Sequence, residues 1–129
     1  SDLNEQISLH PNLQFYIVGC SFVPNNTAVI WSKVNLNETS LKKIINTDLF
    51  KITSDFEEKY TTEINTKLIE FCENNSNLVF IDRNTPLKES NTKYNLYNKN
   101  IGIFEDPLHY SRFGGSIIGE YIIDEVSKE

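Results

Sequence analysis

Leu78-Val79-Phe80-Ile81-Asp82 is the stretch on which the reading of the fold turns. Four consecutive apolar residues leave no in-out alternation of the kind a half-exposed antiparallel strand shows, and the run is too short for a helix. Such a run suits a strand of a parallel sheet that is covered on both faces. It stops at Asp82, a residue type that favours turns.

Upstream lies the element that would carry the chain to this strand. Ser54-Asp55-Phe56-Glu57 has the form of a capping box, with Ser54 as N-cap and Glu57 three residues on. Behind it Phe56, Tyr60, Ile64, Leu68 and Phe71 recur every three or four residues, with Glu and Lys between them. This predicts an amphipathic helix that lays one stripe on a core and ends near Glu73-Asn74-Asn75. Further upstream, Leu13-Gln14-Phe15-Tyr16-Ile17-Val18-Gly19 reads as a buried strand that ends at glycine. Residues 21–26 carry Pro24 and two asparagines and read as a loop. Ala28-Val29-Ile30-Trp31 is short and apolar, suited to an edge strand or a loop anchor, and Thr39 or Ser40 would cap a short helix built on Leu41, Ile44 and Ile45. Strand, helix, strand is the order of a crossover unit, so the two strands are expected to pair in parallel.

Downstream, residues 83–100 are polar, rich in asparagine, broken by Pro86 and without periodicity. A connection this long inside a small domain is more often functional or covering than idle. The apolar Ile101-Gly102-Ile103-Phe104 follows, then Glu105-Asp106-Pro107-Leu108-His109-Tyr110-Ser111, then a terminal helix with Ser111 as N-cap. Ile117, Ile118, Tyr121, Ile122 and Val126 would form its buried face. Gly114, Gly115 and Gly119 each cost about 1 kcal/mol against alanine in a helix, which points to close backbone packing. The expected architecture is α/β: a small parallel sheet with flanking helices, one domain over residues 13–129 behind a polar leader at 1–12. In such sheets the loops leaving the carboxyl ends of the strands form the site. Residues 19–26 and the segment from Asp82 therefore share a rim, and residues 106–111 are candidates to join it.

Bulk properties narrow the partners. The chain has 129 residues, enough for one modest core. A net charge of −6 and a pI near 4.9, with basic residues scattered, would repel a phosphate backbone, so nucleic acid is not an expected partner. No apolar run approaches the roughly 20 residues of a membrane span, and the acidic start, Ser1-Asp2-Leu3-Asn4-Glu5, is no signal peptide. Cys20 and Cys72 fit no zinc or Cys-x-x-Cys spacing. They read as small buried hydrophobes, or as a disulfide if the domain lives outside the cytoplasm. No cofactor or metal pattern is present.

One constellation carries chemistry. A histidine general base needs a carboxylate or carbonyl to hold its Nδ1–H, which fixes the tautomer and stabilises the imidazolium. Asp106 stands three residues before His109, with Pro107 stiffening the turn between them, so one short loop can supply both. The plainer alternative is a loop hydrogen bond that helps to cap the final helix. The other histidine, His10, precedes Pro11 in the leader and suits a surface role. Asp82 at a strand end and the aromatic Trp31 are candidates to line a substrate site, Trp31 by stacking on a sugar.

Asp-x-x-His-x-Ser, followed by glycines and an apolar helix, resembles the last block of the SGNH hydrolases. The likeness is nearest to the SGNH domains attached to membrane acyltransferases that O-acetylate cell-surface sugars. In that family the block reads Asp-x-x-His-Leu-Ser; Tyr110 stands here in place of the leucine. Phe15-Tyr16-Ile17-Val18-Gly19 with Pro24 resembles the family's central strand and proline loop, and Leu78–Asp82 its penultimate strand. The resemblance spans roughly residues 13 to 126 and implies a partial three-layer, flavodoxin-like arrangement. It implies His109 as the base that deprotonates a serine, Asp106 as its orienting partner, and acyl transfer through a serine ester to water or to a sugar hydroxyl.

The family's Gly-Asp-Ser nucleophile block and its oxyanion-hole blocks are not found, so the expectation is a carboxy-terminal portion that is inactive alone. Its partners would be an acylated sugar or other small ester and either the remaining amino-terminal half or a membrane acyltransferase domain, in a periplasmic or other extracytoplasmic setting. Val18-Gly19-Cys20-Ser21-Phe22 has the strand-Gly-x-Ser shape of a nucleophile block, with Cys20 where aspartate belongs. Ser21 thus reads either as the end of a central strand or as a nucleophile only 88 residues before His109. A non-catalytic carbohydrate-binding or protein-interaction module on the same scaffold is the competing functional expectation.

Overall fold

The computed structural model describes residues 2–21, 48–90, 93–94, 97–98, 101–106 and 109–128. Trp31, and the elements expected around Ala28 and Leu41, lie outside the described residues. The fold is mixed α/β. Its centre is a parallel pair, β1 (Phe15–Val18) and β2 (Leu78–Ile81), in the register Phe15↔Leu78 to Val18↔Ile81. The crossover is helix α2 (Asp48–Glu73), which packs on β2. Strand, helix and parallel strand therefore stand in the expected order.

Three expectations are corrected here. First, α2 begins at Asp48, so Ser54 lies inside it and is not its N-cap. A capping box marks where a helix can start; when the preceding turn is itself helical, its carbonyls take up the N–H groups that the cap would have satisfied. Second, the buried stripe is displaced from the apolar one. Thr61, Asn65 and Cys72 are buried and Leu68 is half-buried, whereas Ile64 is 46% exposed. Third, β2 has β1 as its one ladder partner among the described residues, and only Leu78 and Ile81 are buried in it. Leu78 and Ile81 point to opposite faces and Val79 and Phe80 are half-buried, so each face of the strand holds one buried and one half-buried residue and its cover is partial on both.

The segment read as a polar leader contains a short helix, α1 (Leu3–Leu9). The Asn4 N–H donates to the side chain of the N-cap Asp2, and His10 stands exposed at the other end. Ile7 is buried against Cys72 and Leu78. One apolar residue per turn is too weak a period to read in seven residues. The carboxyl end of α2 is closed by asparagines, as expected. Asn74 and Asn75 donate their side-chain amides to the carbonyls of Glu70 and Phe71, each at 2.8 Å.

The polar stretch after β2 is not structureless. A single 3-10 turn (Thr85–Leu87) leads into successive antiparallel hairpins: β3 (Lys88–Ser90) with β4 (Lys93–Tyr94), then β5 (Tyr97–Asn98) with β6 (Ile101–Gly102). A third pairs β7 (Phe104–Asp106) with β8 (His109–Tyr110). Strands of two or three residues are too short to display alternation, which is why periodicity missed them. Helix α3 (Arg112–Val126) closes the chain. Ile118 is its buried hydrophobic residue, Ile117, Tyr121 and Ile122 are half-buried, and Val126 is 40% exposed, outside the stripe expected of it.

Two hydrophobic clusters result. One joins Ile7, Cys72 and Leu78, with Phe15, Ile17, Phe71 and Phe80 around them. The other joins Leu87, Ile103, Phe104 and Ile118, with Tyr110, Phe113, Ile117 and Ile122. Each fully buried Leu or Ile contributes about 1.5–3 kcal/mol.

Candidate functional site

The loop leaving β1 forms one wall of the site. The Gly19 N–H donates to the Ile81 carbonyl at 2.8 Å and extends the parallel ladder by one residue. A Cβ at Gly19 would stand 2.6 Å from the Phe80 ring and 2.8 Å from Asn65 Oδ1, so only glycine lets α2 approach this closely. Cys20 is then gripped by its backbone. Its N–H donates to Asn65 Oδ1 at 2.7 Å, and its carbonyl accepts from Asn65 Nδ2 at 3.2 Å and from Asn84 Nδ2 at 2.8 Å. The Asn65 side chain thus serves one residue's donor and acceptor together, as a neighbouring strand would. Asn65 and Asn84 are both buried, and buried amides are tolerated when their polar groups are paired.

Asn84 reaches Cys20 from the loop that leaves β2. The Asn84 N–H donates to Asp82 Oδ1 at 3.0 Å, and the Thr85 N–H donates to the Asp82 carbonyl at 3.0 Å, which closes a tight turn. The other carboxylate oxygen of Asp82 accepts from Lys88 Nζ at 2.7 Å. Asp82, a candidate substrate contact, is therefore engaged in shaping the turn that delivers Asn84. Beside it, Arg83 Nε is buried without a hydrogen-bond partner among the described residues.

The terminal block forms the other wall. Asp106 and His109 are direct cross-strand partners in the β7–β8 pair, which sets the two backbones opposite each other. His109 is exposed. Its neighbour Tyr110 packs its ring on Phe104, centroids 4.9 Å apart, and its phenol oxygen lies 2.5 Å from the Ser21 hydroxyl, where either oxygen can donate. The Ser21 carbonyl accepts from Thr61 Oγ1 at 3.5 Å.

Ser111 fixes the base of the hairpin. Its N–H donates to the Ile103 carbonyl at 2.8 Å, its hydroxyl donates to the Gly102 carbonyl at 2.6 Å, and the Gly114 N–H donates to the same hydroxyl at 3.0 Å. Ser111 is thus the N-cap of α3, as its position after the histidine suggested. At Gly114 a Cβ would fall 1.9 Å from the Ile103 carbonyl oxygen, which accounts for glycine there. Gly115 and Gly119 meet no such obstacle; a Cβ would find nothing nearer than 4.0 Å, so close packing explains one glycine of the three.

Of the candidate residues, the fold brings Ser21 into direct contact with the residue that follows His109, and sets Asp106 opposite His109. Asp82 stands on the adjoining loop. Four residues that hold this arrangement, Thr61, Asn65, Asn84 and Tyr110, are not prominent in the sequence. The available signal was the pair Thr61 and Asn65, four residues apart beside the apolar stripe, and Asn84 three residues past the end of β2. Roughly one residue in eight is asparagine, which hid both.

Cys20 and Cys72 are both free thiols. Burial pushes the Cys72 thiol above its ordinary value, so it stays protonated at neutral pH and inert. No group of three His, Cys, Asp or Glu able to hold a metal ion occurs among the described residues. No helix among them is long and apolar enough to cross a membrane. No family model matches the chain, and neither a search of curated proteins nor one of solved structures finds a match.

Proposed function

We propose that this chain is the carboxy-terminal part of an SGNH-like O-acyl esterase or acyltransferase domain that acts on sugar hydroxyl esters, with His109 as general base and Asp106 as its orienting carboxylate. The observation that carries the reading is the β7–β8 register, in which Asp106 and His109 are direct partners. A base and its orienting group must keep a fixed separation through the reaction, and a two-strand register that pairs their backbones supports that assignment. The parallel β1–β2 pair with its crossover helix is compatible with one edge of a flavodoxin-like, three-layer sheet.

The chemistry is acyl transfer in two halves. His109 takes the proton of a serine hydroxyl as its oxygen attacks the acyl carbonyl. The ester C–O bond breaks, and the leaving sugar oxygen receives that proton from the imidazolium. Water or a second sugar hydroxyl then attacks the acyl-serine, with His109 again accepting and returning the proton. The serine belongs to a Gly-Asp-Ser block in the remainder of the domain; Ser21 has its hydroxyl against the Tyr110 phenol and its carbonyl against Thr61, which suits a rim-forming residue. The remaining half of the domain, or a membrane acyltransferase domain, is the partner this reading requires, and the setting is extracytoplasmic.

A fluorophosphonate probe tests the assignment. The chain alone is expected to remain unlabelled and to show no esterase activity above background. Stoichiometric labelling of Ser21 would overturn the assignment and make the chain a compact serine esterase. In the full gene product, His109→Ala should lower deacetylation of an O-acetylated oligosaccharide by roughly 10⁶-fold, the scale on which loss of a triad histidine acts. The saturated hydrogen bonding of the Cys20 backbone favours a second reading, a non-catalytic sugar-binding or protein-interaction module. Under it, His109→Ala leaves retention on the same oligosaccharide unchanged and no activity is found to lose.

A further inference from the structure

The hairpin that carries His109 has to be held at the carboxyl end of β1, and its bond to that loop is made by Tyr110. We infer that Tyr110 is a positioning residue for His109: its phenol, bonded to the Ser21 hydroxyl, fixes the β7–β8 hairpin against the loop that leaves the parallel pair. The inference rests on the proposed role of His109. Both ends of the bond are anchored. On one side Ser21 follows Cys20, whose backbone N–H and carbonyl are held by Asn65 and Asn84. On the other side the Tyr110 ring lies on Phe104, a buried core residue 4.9 Å away, and Ser111 ties the next residue to Gly102 and Ile103. The hydroxyl–phenol distance of 2.5 Å joins these two anchored segments across 89 residues of sequence.

Leucine in place of Tyr110 could pack on Phe104 but could not reach a hydroxyl with a donor or an acceptor. A phenol supplies both a flat apolar body and a polar tip, so it buries against the hairpin and bonds to the facing loop together. A loop that bears a general base gains from such a tie because misplacement by about 1 Å can cost on the order of a hundredfold in rate. Tyr110 and Ser21 would therefore act as one unit, and removal of either oxygen should have the same effect as removal of both.

The test uses Tyr110→Phe, Ser21→Ala, the double variant, and Ser21→Thr, which keeps a hydroxyl. The sequence has two histidines, so the ring signals of His109 can be assigned by nuclear magnetic resonance with a His10→Gln control. In the chain itself, Tyr110→Phe, Ser21→Ala and the double variant are expected to shift the His109 ring signals equally, with Ser21→Thr returning them toward the original. In the full gene product the same three variants should lower kcat about tenfold or more with KM unchanged. A lowered Tm with unmoved His109 signals would overturn the inference and leave the bond a purely structural one. Additive effects of the two substitutions would overturn it as well. If the gene product has no esterase activity, the proposed function fails while the resonance measurement still decides the positioning role.

Discussion

Gly114 and Gly119 stand five residues apart in the same helix, and the physics of each is different. At Gly114 a methyl group would collide with the Ile103 backbone carbonyl, which cannot swing aside as a side chain could. Gly114→Ala should destabilise by at least about 2 kcal/mol, at the upper end of ordinary overpacking. At Gly119 the space is open, so Gly119→Ala should stabilise by about 0.5–1 kcal/mol through helix propensity alone. Urea denaturation of the two variants checks both signs. The cysteines offer a second contrast. Burial raises the Cys72 pKa in the folded state, so the neutral thiol's contribution to stability is whole below the unfolded-state value and is lost as pH climbs through the folded one. A disulfide-exchange reagent at mildly alkaline pH should titrate one thiol in the native protein, the half-buried Cys20, and a second only after unfolding. At this scale the glycines of the terminal helix were legible as a sign of close packing, but which glycine touched the backbone was not. That depends on the position of Ile103, eleven residues away.

Elements were legible in kind and less so in phase. The parallel pair, its crossover helix and the Ser111 cap follow from apolar runs, period and capping chemistry, all of them local signals. The buried side of α2 did not follow, because the loop it covers presents backbone groups in place of apolar side chains. A helix that must satisfy the Cys20 N–H and carbonyl gains more from Asn65 than from isoleucine, and the hydrophobic stripe then turns partly outward at Ile64. Asn65→Leu should therefore cost about 2–4 kcal/mol despite adding apolar area, since it strands a donor and weakens the pairing of a carbonyl. Ile64→Gln, at a position 46% exposed, should stay within about 0.5 kcal/mol of the parent. Thermal melts of this pair would reveal the true phase of the helix; a larger loss from Ile64→Gln than from Asn65→Leu would mean that the apolar stripe, and not the polar one, faces the core. The hairpins after β2 escaped sequence reading for the opposite reason. Their strands are two or three residues long, and a register of two pairs leaves no periodic trace.

The molecule as a whole is organised as two apolar clusters whose elements are joined by polar contacts: Asn84 with Cys20, and Tyr110 with Ser21. The Asp-x-x-His block stands out in the sequence because its residues lie within six consecutive positions. The polar contacts do not, since each links residues that are distant in sequence. Such joints have a particular mechanical character, because a hydrogen bond is directional and contributes about 1 kcal/mol net, far less than the burial of a large side chain. The joint should consequently open before either cluster does, as a local event in the sense of hydrogen-exchange units. Asn84 is the residue on which to test this, being 1% exposed and donating its amide to the Cys20 carbonyl. Asn84→Asp exchanges that donor for a carboxylate facing a carbonyl, so it should cost more than Asn84→Ala, by about 1–3 kcal/mol, with the difference shrinking as the carboxylate is protonated at low pH. Hydrogen exchange should then show faster exchange at Gly19, Cys20 and the β7–β8 hairpin. The amides of Phe80, in the β1–β2 ladder, and of Ile118, inside α3, should keep their protection. Uniform acceleration across both clusters would mean instead that the polar contacts are integral to one cooperative core, and that the rim bearing Ser21 and His109 cannot rearrange without global unfolding.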